Sequence, residues 1–219
     1  PALSDVAVGI DDVALLQRKA RVHVASASLP NAPPRVVVYW PVRQRLRREL
    51  RARGRFEAAM QEHASAVMLR CLDAKPAVIR VERAELELIA RRSVSPELIE
   101  AACVQLASLA LDEGSARELA EQLAALPPAS PDALLALARL ERRLGRIGAA
   151  RRHAQAARGE RPFAAALELA HLDRQQSETA AALAGYRALS THASDARERA
   201  IALGELGRML QSVGQNRDA

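Results

Sequence analysis

The chain has 219 residues, of which 49% are hydrophobic and only 2% aromatic. Alanine and leucine therefore supply most of the apolar surface, which favours closely packed helices. The formal net charge is +6, and the basic residues are almost all arginine, because Lys19 and Lys75 are the only lysines. This composition is typical of a GC-rich bacterial genome, so its basic charge does not by itself indicate nucleic-acid binding. No stretch reaches the ~18 apolar residues that a membrane-spanning helix requires.

Residues 1–40 differ in pattern from the rest of the chain. Asp11 can cap a short helix, and two valine-rich runs follow at residues 21–24 and 35–40, around a Pro/Asn-rich link. This pattern predicts a β-hairpin or an irregular arm. We assign residues 1–40 to an N-terminal arm or hairpin, or to the end of another domain, and residues 41–219 to a helical domain.

From residue 41 onward, helical patterns alternate with short breaks at Gly, Pro or Ser. Ser95-Pro96 and Ser130-Pro131 each place a capping serine before a proline at the first helical position. Breaks this short bring consecutive helices into antiparallel pairs. The predicted helices cover residues 42–53, 55–72, 77–91, 95–111, 115–125, 132–144, 147–160, 163–175, 177–190 and 195–212.

An internal repeat is the most informative pattern in the helical part. A Leu, a Gly eight residues later and an Ala five residues after that occur three times without gaps. The Leu packs the first helix of a pair, the Gly can end that helix in the left-handed conformation, and the Ala allows close approach of the second helix. The three matches are Leu46-Gly54-Ala59, Leu137-Gly145-Ala150 and Leu206-Gly214-Ala219.

These segments resemble the tetratricopeptide repeat (TPR) family. The middle unit is the most similar, and the family's 34-residue pattern falls there on Leu134, Leu137, Ala138, Gly145, Ala150, Ala157 and Pro162. The resemblance implies an all-α fold, an α-solenoid of antiparallel helix pairs. It covers about 120 residues, while residues 77–128 match only as generic helical hairpins, and the Gly spacings of 91 and 69 are not multiples of 34. A divergent α-solenoid outside this family is the alternative.

No pattern of catalytic or metal-binding residues is present. Glu62-His63 lacks a second histidine four residues on, and His153 and His171 have no cysteine at metal-site spacing. There is no Gly-rich phosphate loop. Cys71 and Cys103 lie on predicted apolar faces and are interpreted as buried free thiols. We therefore predict no catalytic residue, no cofactor, no metal site and no enzymatic activity.

Arginines are the candidate binding residues. Seven of them lie within residues 43–55, which describes either a solvated helix face or a binding face. The family resemblance implies a ligand on the concave side of each first helix, and a basic row there would hold carboxylates. Reversing Arg139 and Arg142 to glutamate is expected to weaken binding without changing the melting temperature. The positions implied are Arg48, Arg51, Arg139, Arg142, Arg208 and Gln211.

The sequence thus predicts a protein-binding scaffold or regulatory module, whose partner is another protein or an acidic peptide segment. It is expected to be part of a longer bacterial protein, because the chain ends just inside the second helix of a repeat. One alternative is a nucleic-acid-associated regulator with an Arg-rich helix on phosphates, which salt-sensitive DNA binding would favour. Another is a periplasmic secretion or export scaffold. The compartment and the partner's identity are not predicted.

Overall fold

The computed structural model describes residues 22–25, 35–38, 44, 48, 50–72, 76–93, 95–126 and 130–214. Two strands and nine complete helices lie within these residues, and residues 44, 48 and 50–52 are also helical. The elements are β1 (Val22–Ala25), β2 (Arg35–Val38), α1 (Phe56–Cys71), α2 (Pro76–Arg92), α3 (Pro96–Ala107), α4 (Glu113–Ala124), α5 (Pro131–Arg143), α6 (Ile147–Ala157), α7 (Pro162–Gln175), α8 (Thr179–His192) and α9 (Ala196–Ser212).

The helices begin and end close to the predicted positions. Ser95 and Ser130 each accept a hydrogen bond from the backbone amide three residues on, and a proline follows each of them. Asp112 and Asp195 cap α4 and α9 in the same way. These caps satisfy amides that have no partner inside the helix, which explains why the sequence locates the helix starts well.

β1 and β2 pair antiparallel, with Val22 opposite Val38 and Ala25 opposite Arg35. They lie at the two valine-rich runs of the sequence. The predicted boundary at residue 40 lies outside the described residues. Between residues 50 and 214, the described part of the chain contains helices and connecting turns and no strand.

The chain divides into two compact units, residues 1–109 and 110–219. In the first unit, α1 packs on α2 and α3, and α2 packs on α3. Val67, Cys71, Leu86, Cys103 and Leu106 form its interior. Both cysteines are buried and neither forms a disulfide, as predicted. Burial raises the pKa of the Cys71 thiol, so it remains protonated and apolar near neutral pH.

In the second unit, consecutive helices pack in neighbouring pairs. α5 packs on α6 and α7 packs on α8, while α7 also contacts α5 and α6, and α9 packs on α8. We call α5, α7 and α9 the first helices, and α6 and α8 the second helices. Ala150 and Ala154 of α6 are fully buried, because a small residue is needed where two helix backbones approach closely.

The link after each first helix is the same left-handed turn. The residue that adopts it, here called the turn residue, has φ of 72° at Gly145, 62° at Ser177 and 79° at Gly214. Each turn residue donates its amide to the carbonyl three residues earlier at 3.1 Å. Gly54 in the first unit has the same geometry, with φ of 63°. The sequence shows a gap of 69 residues between Gly145 and Gly214 because the unit between them uses serine.

Among the described helices, none combines the length and the apolar character needed to cross a lipid bilayer.

Candidate functional site

The first helices align when residues are counted back from the turn residue. Six residues before it stand Arg139, His171 and Arg208, on α5, α7 and α9 respectively. Three residues before it stand Arg142, Arg174 and Gln211, and nine residues before it stand Ala136, Glu168 and Glu205. Positions three apart lie on one face of a helix. Each first helix therefore presents one column of polar residues, and α7 and α9 each add a carboxylate at its N-terminal end.

Two arginines of α5 bind the carboxylate of α7. Arg139 Nε donates to Glu168 Oε1 at 2.9 Å, and Arg142 Nε donates to Glu168 Oε2 at 3.2 Å. The Gln175 side-chain amide also donates to the Arg142 carbonyl at 3.2 Å. The Glu168 side chain is only 5% exposed, whereas those of Arg139 and Arg142 are 31% and 23% exposed. The carboxylate is thus buried beneath two partly exposed guanidinium groups.

The same arrangement recurs one repeat further along. Arg174 Nη1 of α7 donates to Glu205 Oε2 of α9 at 3.1 Å, and His171 Nε2 lies 3.6 Å from Glu205 Oε1. Arg208 Nη2 completes the group by donating to Glu205 Oε1 at 2.5 Å within α9. We call the whole set the charge network. Its members are Arg139, Arg142, Glu168, His171, Arg174, Glu205 and Arg208.

The network holds Glu168 in its ionised form. Burial alone would raise the pKa of this carboxyl group, because it disfavours the charged form. The neighbouring His171 imidazole and the charges of Arg139 and Arg142 outweigh burial and lower the pKa to about 2. Glu168 is therefore a permanent anion at any pH near neutral, and it fixes the two arginines of α5 in place.

His171 lies between two carboxylates and against an aromatic ring. Its Nδ1 is 3.8 Å from Glu168 Oε2, and its ring centroid is 5.9 Å from that of Tyr186 on α8. Both imidazole nitrogens and the Tyr186 hydroxyl are buried without a hydrogen-bond partner among the described residues. Burial also raises the pKa of Tyr186 to about 12, so its hydroxyl keeps its proton. His171 therefore lies between the two carboxylates of the network, and Tyr186 packs against it.

The arginines of α5 keep donors for a ligand. Each binds Glu168 through Nε, and within the described part of the chain the terminal Nη1 and Nη2 atoms of Arg139 and Arg142 have no hydrogen-bond partner. A guanidinium group donates five hydrogen bonds in a planar fork. Fixed at Nε and partly exposed, the two groups can bind a carboxylate or another planar anion with their terminal nitrogens.

The structure brings together three of the six residues predicted from the sequence. Arg139, Arg142 and Arg208 belong to one network, and Gln211 is an exposed residue of α9 on the same column as Arg208. Arg48 and Arg51 belong to the first unit, where both are exposed, and the Arg51 guanidinium lies 4.7 Å from the centroid of the Phe56 ring. The binding role of all six stays a prediction.

The structure changes the expected effect on stability of reversing Arg139 and Arg142 to glutamate. Arg139 and Arg142 are not unpaired surface charges but the partners of a buried carboxylate. Reversing both to glutamate would place three carboxylates together in a poorly solvated position. The melting temperature of that variant should therefore fall together with any loss of binding, contrary to the expectation that it would stay the same.

Sequence reasoning missed Glu168, His171, Arg174 and Glu205. The signal that could have pointed to two of them is a Glu-Leu-small triplet, present as Glu168-Leu169-Ala170 and Glu205-Leu206-Gly207, although Glu118-Leu119-Ala120 of α4 has the same pattern. The repeat was aligned on its glycine, and the α7 unit has Ser177 in place of that glycine. The two triplets were therefore not recognised as equivalent. Among the described residues, no group of three His, Cys, Asp or Glu side chains is placed to hold a metal ion.

No protein-family model, no curated protein and no solved structure matches the sequence of this chain. The resemblance to the TPR family therefore stays a prediction, and the geometry above is the basis for any assignment of function.

Proposed function

We propose that this chain is a protein-binding scaffold, a TPR-like α-solenoid that holds an acidic segment of another protein against its first helices. The observation that carries this proposal is the pair of guanidinium groups of Arg139 and Arg142, fixed at Nε by a buried glutamate with their terminal nitrogens available.

Pre-organisation favours this function over a purely structural role for the arginines. An arginine on a surface loses side-chain entropy when it binds a ligand, and this loss reduces affinity. Here the loss has already occurred on folding, because Glu168 holds both side chains. Two neighbouring forks that are fixed in advance can bind one carboxylate bidentately, or two carboxylates of one acidic segment.

The balance of charge supports an anionic ligand. The network contains four arginines and two glutamates, and both glutamates are more deeply buried than any of the arginines. The charged groups of the network that are exposed to solvent are therefore mainly guanidinium groups. A positive surface steers acidic partners toward the site and disfavours basic ones. Nucleic acid is the competing ligand, but Tyr186, the aromatic ring that contacts His171 of the network, is fully buried and offers no stacking surface.

The test uses lysine in place of arginine. In the double variant Arg139→Lys and Arg142→Lys, each position keeps a positive charge that can pair with Glu168. Each position loses the planar guanidinium donors that could bind a ligand. We expect affinity for an Asp/Glu-rich peptide to fall by about tenfold or more, which is the scale of one lost charge-assisted hydrogen bond. The matched control combines Arg152→Lys on the second helix α6 with Arg158→Lys in the turn that follows it, where both arginines are exposed. Fluorescence anisotropy with a labelled peptide measures both.

A further variant separates binding from stability. Replacing Arg139, Arg142 and Glu168 together by leucine removes the whole buried ion group, a change that is often neutral or stabilising. This protein should remain folded by circular dichroism and lose peptide binding. Equal loss of affinity in the α6 control, or tighter binding of the wild type to DNA than to the acidic peptide, would contradict the proposal.

A further inference from the structure

α9 leaves uncovered the face that α5 and α7 bury against the next first helix. Ten residues before the turn residue, α5 has Leu135, which is 3% exposed and packs on Ala165 of α7. At the same position α7 has Leu167, which packs against a cluster that includes residues of α8 and α9. α9 has Gly204 there, and it is exposed.

An exposed apolar side chain lies on this open face. Ile201, three residues before Gly204 and therefore on the same side of α9, is 40% exposed, which is unusual for a residue of this size in the described helices. A side-chain carbon added at Gly204 would meet nothing within 4 Å. Packing within the described chain therefore does not require glycine here, although glycine weakens a helix interior. The absence of a side chain leaves room here for the close approach of another helix backbone.

The polar column of α9 continues the pattern that binds glutamate inside the chain. Within the chain, the residues six and three positions before a turn residue contact the glutamate of the next first helix, as Arg139 and Arg142 contact Glu168. His171 and Arg174 approach Glu205 in the same way. Arg208 and Gln211 occupy these two positions on α9, and both are exposed.

We propose that the open face of α9, formed by Ile201, Gly204, Arg208 and Gln211, binds an amphipathic helix of a partner protein. That helix carries a Glu-Leu-small triplet, and its glutamate lies between Arg208 and Gln211. The occupant follows from charge complementarity, because at both interfaces inside the chain these two positions contact a glutamate that begins such a triplet. The surface goes beyond the proposed function: it binds a packed helix with an apolar face, whereas α5 binds an extended acidic segment.

The chain itself supplies a probe. A synthetic peptide of residues 162–177 has the sequence of α7, including the triplet that begins at Glu168. We expect this peptide to bind the 219-residue chain and to gain helicity on binding. The same peptide with Glu168→Gln is the matched control, and it should bind about tenfold more weakly because it lacks the carboxylate. Titration calorimetry and circular dichroism measure the two effects.

Variants of the exposed Gln211 locate the contact without disturbing the ion pairs of Glu205. Gln211→Arg recreates the arginine pair of α5 and should tighten peptide binding several-fold, by the gain of one charged donor. Gln211→Glu should weaken binding by a similar factor. Arg199→Glu, on the opposite side of α9 from Arg208, is the control and should leave the affinity unchanged. Absence of peptide binding would overturn the proposal, as would equal binding of the Glu168→Gln peptide or indifference to both Gln211 substitutions.

Discussion

Glu168 shows how one buried charge positions the candidate site. A single carboxylate from α7 fixes two arginines of α5 at a distance of about 3 Å each. Because the carboxylate is buried and the arginines are partly exposed, the chain keeps its own ion pairs in the interior and leaves guanidinium nitrogens at the surface. Glu168 thus contributes to folding and positions the arginines of the proposed binding site, and its contribution to folding can be tested by pH.

The stabilising effect of Glu168 should disappear in acid. Its pKa is about 2 in the folded chain, against an ordinary value of 4.5. A lowered pKa stabilises the folded state at pH values above 4.5, and this contribution is lost as the pH falls from 4.5 toward 2. We expect the wild type to be more stable than Glu168→Gln by about 3 kcal/mol near pH 7, and the difference to vanish by about pH 2. Urea unfolding of both proteins at several pH values measures it, and a difference that does not depend on pH would contradict the ionic role.

Ser177 should be a site of backbone strain. Its φ of 62° lies in the left-handed region, which side chains with a Cβ atom rarely adopt. Gly145 and Gly214 occupy the same turn position without this cost. Ser177→Gly should therefore stabilise the chain by about 0.5–1 kcal/mol. Ser190→Gly, inside α8, should destabilise it by a similar amount. Thermal unfolding distinguishes the two, and stabilisation in neither variant would show that Ser177 is not strained.

At the scale of elements, local signals explain what the sequence could predict. The capping residues Ser95 and Ser130 mark helix starts through contacts three residues away, so α3 and α5 were predicted within a few residues. Arg139, Arg142 and Arg208 were found through the glycine-aligned repeat. Glu168 and Glu205 were not predicted, because the arginines of the preceding first helix that bind them are distant in sequence. In addition, Ser177 in place of glycine concealed the repeat in the α7 unit. The division into two compact units likewise depends on contacts distant in sequence.

The repeat register makes a direct prediction for α6. Ala150, five residues after its turn residue, is fully buried, as is Ala182 at the same position in α8. Ala150→Leu adds three carbon atoms at a site without space and should destabilise the chain by about 1–3 kcal/mol. Ala156→Leu, on the exposed side of α6, is the control and should change stability by less than about 0.5 kcal/mol. Equal melting temperatures for both variants would mean that the register is wrong.

At the scale of the whole molecule, each unit has its own interior, and in the second unit each helix contacts mainly its neighbours in sequence. In such repeat arrangements, stability is the sum of local terms and neighbour interfaces. The charge network repeats in the same way, because each first helix contacts the next one through the positions nine, six and three residues before the turn residue. Helices with two covered sides should therefore be the most stable, and those with one open side should open locally at a lower free energy.

Amide hydrogen exchange should consequently show different free energies of local opening for the three first helices. Ten residues before the turn residue, Leu135 of α5 is buried and Leu167 of α7 is partly buried, whereas Gly204 of α9 is exposed. We expect residues 196–212 to exchange through openings of lower free energy than residues 131–143 and 162–175. Gly204→Ala removes a glycine from a helix interior where the added methyl group meets nothing. It should therefore raise the opening free energy of α9 by up to about 1 kcal/mol while leaving α5 unchanged. Exchange measured by mass spectrometry on the native chain tests both statements, and protection in α9 equal to that in α5 would show that the open face does not lower its stability.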